Sequence, residues 1–121
     1  MLQPYDEFVT DQTNTYKACP DRADINLPEL TYSSLGLAGE SGELSDHVKK
    51  YWRGDDFNPY EIALELGDTL YYATRIAHCL GFTLGEVTDM NQIKLNYRYA
   101  NGKDTKAELQ AVKDAYAPLR L

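Results

Sequence analysis

Four carboxylates occur as two pairs at mirror-image spacings along the chain. Glu40 and Glu43 lie three residues apart in the first pair, and Glu65 and Asp68 lie three apart in the second. Residues three apart on an α-helix project from one face, so each pair forms an acidic patch if both segments are helical. Two such patches facing each other would offer the oxygen ligands that a hard divalent cation such as Mg²⁺ prefers.

The stretch between the two pairs predicts a helix–helix connection. Residues 53–59, RGDDFNP, combine glycine, proline, aspartate and asparagine, which favour turns. Gly54 lies at the midpoint of the outer carboxylates and also of the inner ones, so a hairpin folded there brings the pairs face to face. Helices that end near Trp52 and restart near Pro59 offset the pairs by about one helical turn, roughly 5 Å. We therefore expect an acidic socket between the two helices of a hairpin.

Glycines surround the carboxylates. Gly36, Gly39 and Gly42 interrupt the first predicted helix, and Gly67 interrupts the second. Each interior glycine costs about 0.8–1 kcal/mol of helix stability relative to alanine. This cost predicts that either a ligand or a neighbouring helix approaches the backbone closely. Either acidic motif alone is most often solvated surface, but leucines flank these acids, and partly buried carboxylates repel one another unless a cation neutralises them.

A second set of polar residues is suited to an anionic substrate. Asn91, Lys94 and Arg98 recur at three- and four-residue steps and share a helix face. Arg53 follows the first acidic helix, where a cation is also favoured by the helix dipole alone. Trp52 is the single tryptophan; it can stack on a nucleobase, or it can pack in a core or subunit interface.

Three further side chains lie near the acidic motifs in sequence. His47 and His78 do not fit the Glu-x-x-His pattern of di-iron bundles, and we expect both to be structural or exposed. Tyr72 follows Asp68 by four residues, which makes it a candidate hydrogen-bond donor to a metal-binding carboxylate.

Hydrophobic periodicity predicts an all-α fold without strand pairs. Pro28 and Pro59 suit the first turns of two helices, Gly81 suits a helix end, and Thr83 with Glu86 forms a capping box. The predicted helical ranges are about 5–16, 28–51, 59–81, 83–101 and 104–116. The side of the first helix that is predicted to be buried comprises Tyr5, Phe8, Val9 and Tyr16.

These elements predict one domain over residues 1–121, built as a short-loop four-helix bundle with its core at about 5–100 and a helical tail at 101–121. The hydrophobic content of 43% and the charged content of 26% are typical of a soluble globular protein. The net charge of −7 argues against a nucleic-acid partner. We find no signal-peptide pattern and no apolar run long enough for a membrane span, so we expect a cytoplasmic protein with reduced cysteines and no membrane partner.

The strings LGLAGESGELSDHVKK and ELGDTLYYATRIAHCLGFTLGEVTDMNQIKLNYR resemble the MazG-like nucleoside triphosphate pyrophosphohydrolases of the all-α NTP pyrophosphatase superfamily. The family motif, E-x-x-E followed by E-x-x-D, is matched by all four carboxylates, and N-x-x-K-L is matched at residues 91–95. The resemblance extends over about residues 5–98. The tail after Asn101 departs from the usual family ending.

The resemblance implies hydrolysis of (deoxy)nucleoside triphosphates to the monophosphate and pyrophosphate, by water attack at the α-phosphorus. It implies Mg²⁺ as the cofactor, with Mn²⁺ as a substitute, and assembly as a homodimer or homotetramer. The implied metal ligands are Glu40, Glu43, Glu65 and Asp68. Of these, Glu40 or Glu43 is our candidate for activating the attacking water, and the sequence does not separate base from ligand. The implied phosphate-binding residues are Asn91 and Lys94. From their positions in the sequence, Arg53 and Arg98 are secondary phosphate candidates, and Trp52 is a candidate for contact with the base.

Two other functions fit the same residues. A related pyrophosphohydrolase would act on phosphoribosyl-ATP or an alarmone at the same metal site. A non-catalytic helical interaction domain would keep the carboxylates as a structural cation site. The sequence leaves the nucleobase preference open in every case.

Overall fold

The computed structural model describes residues 2–13 and 22–116, and these residues form helices joined by loops, with no strand among them. The all-α prediction is therefore confirmed. The last residues of the predicted first helix, 14–16, lie outside the described part. The helices are α1 (Tyr5–Thr13), α2 (Leu27–Trp52), α3 (Pro59–Cys79), α4 (Leu84–Asn101) and α5 (Thr105–Tyr116), with a short 3-10 turn at Arg22–Asp24.

A side-chain cap and a proline mark the start of α2, and a glycine lies just after its end. The side chain of Asn26 accepts a hydrogen bond from the backbone N–H of Glu29 at 3.1 Å, and Pro28 occupies the first turn. Both satisfy or remove amide donors that a helix start leaves unpaired. The chain leaves α2 through Gly54, whose φ of +111° is accessible mainly to glycine. The hairpin turn thus lies where the sequence predicts it.

The ends of α3 follow the same local chemistry. The side chain of Asn58 accepts a hydrogen bond from the N–H of Tyr60 at 3.0 Å, and Pro59 is the first helical residue. At the other end, Gly81 has a φ of +80°. Its N–H donates to His78 O, and the next N–H donates to Ala77 O, both at 3.0 Å. This is a Schellman motif, which satisfies the last carbonyls of the helix.

The described residues form two compact units, which divide between Leu84 and Gly85. In the first unit, α2 and α3 pack as an antiparallel hairpin, and α1 packs against α3. Val9 of α1 is completely buried, as predicted, whereas Tyr5 and Phe8 remain more than a third exposed. Because α1 has only nine residues, it covers a limited strip of α3.

One carboxylate links α1 to the far end of α3. Oδ1 of Asp6 lies 2.7 Å from Nε2 of the fully buried His78 and accepts a hydrogen bond from the N–H of Leu84, also at 2.7 Å. A buried ring nitrogen without such a partner would be costly. His78 is therefore structural, as expected, and Asp6 anchors the short first helix.

The second unit consists of α4 and α5 with the connection between them. Gly102, at a φ of +84°, ends α4. The carboxylate of Glu108 is 1% exposed and accepts hydrogen bonds from Arg98 Nε at 2.7 Å and from the N–H of Asp104 at 3.3 Å. The hydroxyl of Tyr116 donates to the carbonyl of Glu86 at 3.3 Å. The tail after Asn101 thus contributes α5 to this unit. Among the described residues, no helix combines the length and apolarity needed to cross a bilayer.

Candidate metal centre

Three of the four predicted carboxylates converge between α2 and α3. Glu40 and Glu43 of α2 and Glu65 of α3 each offer one oxygen, and these oxygens all lie within 4.8 Å of one another. Glu40 and Glu65 face the opposite helix and are partly buried, whereas Glu43 is exposed. Because a step of three residues rotates a side chain by about 60° around the helix axis, Glu43 lies at the solvent edge of this three-glutamate cluster.

Two buried oxygens in the cluster accept no hydrogen bond from the described residues, namely Oε2 of Glu40 and Oε2 of Glu65. The pKa of Glu40 is raised, first by burial and then by the negative charge of Glu43. A hydrogen bond between its protonated form and Glu65 raises the pKa further. Buried carboxylate oxygens without donors are unfavourable. The cluster therefore has the donor set, the negative charge and the unsatisfied oxygens that fit a hard cation such as Mg²⁺ or Mn²⁺.

Asp68, the fourth predicted carboxylate, lies on the side of α3 that faces α1. It is exposed and does not belong to the three-glutamate cluster. Its negative charge nevertheless helps to raise the pKa of Glu40. The pKa of Tyr5 on α1 is raised mainly by burial, then by the charge of Tyr71, and also by the charge of Asp68. Asp68 also lines a groove of about 480 Å³ between α1 and α3. Its assignment as a metal ligand remains a prediction.

His47 contacts the cluster, which the sequence prediction of a structural or exposed histidine did not anticipate. Its Nε2 lies 3.4 Å from Oε1 of Glu65, and its Nδ1 lies 3.7 Å from Oε2 of Glu61. The signal was its position four residues after Glu43, which places both on neighbouring parts of one helix face. His47 therefore contacts two carboxylates of α3, Glu61 and Glu65.

A cavity of about 290 Å³ adjoins His47 at the hairpin turn. It is lined by side chains that include Lys50, Tyr51, Phe57 and Glu61, and the rings of Tyr51 and Phe57 lie 4.7 Å apart. Acidic and basic groups are mixed along its wall, so the cavity has no uniform charge.

Two predicted substrate residues near this turn, Trp52 and Arg53, do not line the cavity. The side chain of Trp52 is 88% exposed and does not line the cavity. Arg53 pairs with Asp55 at 3.2 Å, and both side chains are more than half exposed. Such an exposed pair contributes little stability and leaves the guanidinium accessible. The roles of Trp52 and Arg53 with substrate remain predictions.

The other predicted substrate residues belong to the second unit. Asn91 and Lys94 line a groove of about 420 Å³ between α4 and α5, together with apolar side chains and Glu108. The pKa of Glu108 is lowered mainly by the hydrogen bond from Arg98, and the charge of Lys94 adds to this effect. Arg98 therefore has a structural partner within the unit. Lys94 is exposed, and its assignment to phosphate remains a prediction.

The four glycines near the carboxylates differ in what surrounds them. A Cβ added to Gly36 would lie 2.5 Å from the ring of Tyr72, which is far too close for a normal contact. A Cβ on Gly39, Gly42 or Gly67 would meet nothing within 4 Å. Among the described residues, close packing against a neighbouring helix therefore explains Gly36 but not the other three glycines.

Comparisons with known proteins identify the family of this chain. The family model described as the MazG nucleotide pyrophosphohydrolase domain matches residues 30–102, which cover most of α2 and all of α3 and α4. The Gene 37 protein of Mycobacterium phage L5 is 37% identical over 89 residues, covering 69% of this chain and 78% of the phage protein. No solved structure gives a significant match. The matched segment contains both acidic motifs, and the chain belongs to the MazG nucleotide pyrophosphohydrolase family.

Proposed function

We propose that this protein hydrolyses (deoxy)nucleoside triphosphates to the monophosphate and pyrophosphate, using a divalent cation held by the three-glutamate cluster. Family membership supplies the reaction class. The observation that carries the assignment to this site is the convergence of Glu40, Glu43 and Glu65, with two buried oxygens that accept no hydrogen bond from the described residues. Such oxygens are suited to a cation and unsuited to a purely structural packing role.

The chain's own groups have distinct roles in this proposal. Glu40, Glu43 and Glu65 would hold the cation between the two helices, and Asp68 is the candidate for a fourth ligand. When bound, Mg²⁺ or Mn²⁺ would neutralise phosphate oxygens and make the α-phosphorus more electrophilic. Glu40 or Glu43 accepts the proton of the attacking water. His47 keeps the Glu65 carboxylate oriented through its 3.4 Å contact.

The phosphate chain needs cationic and amide donors in addition to the metal. We assign Lys94 and Asn91 to this task, because Lys94 is exposed and its amine is a point charge suited to phosphate. Arg53 and Arg98 are secondary candidates for the phosphates, and Trp52 is the candidate for contact with the base.

We further propose that the protein assembles as a homodimer or homotetramer in the cytoplasm. Apolar side chains on the hairpin support this assembly. Leu66 is 56% exposed, and Leu70, four residues along the same face of α3, is 43% exposed. Val48 of α2 is 48% exposed. A second copy would remove this apolar surface from water. Light scattering coupled to gel filtration should give a multiple of the 13.7 kDa chain mass, and Leu66→Lys should reduce it.

A substrate panel tests the reaction directly. Canonical and damaged (d)NTPs, phosphoribosyl-ATP and an alarmone would be incubated with Mg²⁺ in H₂¹⁸O, and the products resolved by ³¹P NMR and mass spectrometry. We expect pyrophosphate and a monophosphate carrying ¹⁸O, and no turnover by Asp68→Asn. Release of inorganic phosphate would contradict attack at the α-phosphorus. Stabilisation by Mg²⁺ without pyrophosphate release from any substrate would favour a non-catalytic cation-binding domain.

A further inference from the structure

The close approach of Gly36 and Tyr72 lies one helical turn from the acidic cluster. Gly36 precedes Glu40 by four residues on α2, and Tyr72 follows Asp68 by four residues on α3. Residues four apart occupy the same helix face, about 6 Å apart along the axis. The contact between Gly36 and the Tyr72 ring therefore continues the interface on which the carboxylates converge.

The Tyr72 ring is fixed from its other sides. The ring of Tyr32 lies edge-on at 6.3 Å between centroids, and the ring of Tyr71 lies edge-on at 5.4 Å. The guanidinium of Arg75 lies 5.5 Å from the Tyr72 centroid. Aromatic edge contacts and a cation near a ring face are both attractive. A ring with these neighbours cannot move aside without losing several favourable contacts.

Arg75 is itself held in place across the hairpin. Its Nε donates a hydrogen bond to Oε1 of Glu29 on α2 at 2.8 Å. The same carboxylate oxygen accepts a hydrogen bond from the hydroxyl of Ser33 at 3.1 Å, and Ser33 is fully buried. Both side chains of this ion pair are mostly buried, and the Glu29 carboxylate accepts hydrogen bonds from Arg75 and from Ser33. The pair is therefore far more rigid than a surface ion pair. It fixes the position of the ring stack relative to α2.

We propose that Gly36 and Tyr72 form a spacer that sets the distance between the acidic faces of α2 and α3, which makes Tyr72 a positioning residue for the cation-binding carboxylates. This inference rests on the proposed cation-binding role of the three-glutamate cluster. The ring stands against bare backbone at Gly36, so the helices approach as closely as the ring allows.

The spacing matters because a small cation tolerates little widening of its ligands. Mg²⁺ binds oxygens at about 2.0–2.1 Å with nearly ideal geometry. A Cβ on Gly36 would lie 2.5 Å from Tyr72, and ordinary contact begins at 3.4 Å, so α2 and α3 would have to separate locally by about 0.9 Å. A shift of this size, one turn from Glu40, is nearly half of a metal–oxygen distance.

The test is a titration with Mn²⁺ alone, followed by electron paramagnetic resonance, on folded protein. We expect Gly36→Ala to weaken Mn²⁺ binding at least tenfold. Gly42→Ala is the matched control, since it makes the same substitution in the same helix where a Cβ meets nothing within 4 Å. It should bind Mn²⁺ within about twofold of wild type.

Variants of Tyr72 keep the proposal testable if Gly36→Ala does not fold. Tyr72→Phe retains the ring and should leave Mn²⁺ affinity within about twofold of wild type, whereas Tyr72→Leu should lower it at least fivefold. In Gly36→Ala combined with Tyr72→Leu, the smaller side chain makes room for the methyl, so affinity should recover above that of Gly36→Ala alone. Equal losses in the Phe and Leu variants would overturn the spacer, because the hydroxyl would then carry the effect.

Two results separate this inference from the proposed reaction. Wild-type Mn²⁺ affinity in Gly36→Ala, with only a lower melting temperature, would overturn the positioning role while leaving the reaction in place. Conversely, wild-type protein that released no pyrophosphate from any substrate, but whose Mn²⁺ binding fell on Gly36→Ala, would contradict the reaction and support the spacer.

Discussion

Glu40→Gln should stabilise the metal-free protein near neutral pH. The pKa of Glu40 is raised above its ordinary value of 4.5, first by burial and then by the charge of Glu43. The folded state therefore holds this proton more tightly than the unfolded chain does. The associated stability is fully present below pH 4.5 and is lost as the pH rises through the raised pKa. Glutamine stays neutral at every pH and avoids that loss.

The same substitution should remove most of the stabilisation by Mg²⁺. A cation at ten times its Kd that binds only the folded state adds about 1.4 kcal/mol. For a chain of this size, that corresponds to a rise of roughly 4–8 °C in melting temperature. Because Glu40 contributes one of three converging oxygens, Glu40→Gln should show little of this rise at the same Mg²⁺ concentration.

Both effects are measured in one experiment, thermal unfolding followed by circular dichroism with EDTA or with Mg²⁺. The variant should melt above wild type in EDTA at neutral pH, and this advantage should disappear below pH 4.5. Glu7→Gln is the control, because Glu7 is an exposed glutamate on α1 outside the cluster. If Glu40→Gln retained the full Mg²⁺-dependent rise, Glu40 would not be a ligand and the cluster would have to be reassigned.

Three further substitutions address the reaction and the supports of the fold. Glu43→Gln should abolish pyrophosphate release while leaving the far-ultraviolet spectrum unchanged, and full activity would remove Glu43 from the mechanism. Asp6→Ala should lower the free energy of unfolding in urea by about 2–3 kcal/mol, because the Asp6 carboxylate contacts the buried His78 ring and accepts a hydrogen bond from the Leu84 N–H. An unchanged unfolding midpoint would show that water replaces the carboxylate. The pKa of Glu108 is lowered by Arg98, so its stabilising effect is present above pH 4.5 and is lost as the pH falls through the lowered pKa. Arg98→Met should flatten this acid dependence in a pH series of unfolding curves, and an unaltered profile would assign it to other carboxylates.

The hairpin was predictable because short-range signals and the carboxylate spacing agree. Asparagine caps, prolines in first turns and glycines with positive φ define the helix ends from residues within a few positions. The pairing of residues across the hairpin also follows the mirror spacing of the carboxylates. Gly36 meets Tyr72 and His47 meets Glu61, and Gly54 is the midpoint of both pairs. The connection between α2 and α3 thus compensates for the one-turn offset that its length alone implies.

Side-chain exposure was harder to predict because it depends on neighbours distant in sequence. The leucines at 64 and 66 suggest that Glu65 lies in an apolar surrounding, yet Leu64 is 70% exposed and Leu66 is 56% exposed. Glu65 is enclosed by the facing helix instead. The contact of His47 with Glu65 depends on side-chain tilt as well as on spacing, so the position of His47 four residues after Glu43 was a weak signal on its own.

The glycines show how structure changes the meaning of a sequence pattern. Four glycines around four carboxylates suggest a single cause, yet only Gly36 is explained by a contact within the described residues. Gly39, Gly42 and Gly67 face open space, although each weakens its helix by about 0.8–1 kcal/mol relative to alanine. Helix packing within one chain therefore explains the glycine farthest from the cluster, the one facing Tyr72. No contact among the described residues explains the other three, and alanine variants at these positions would show whether each glycine affects stability or activity.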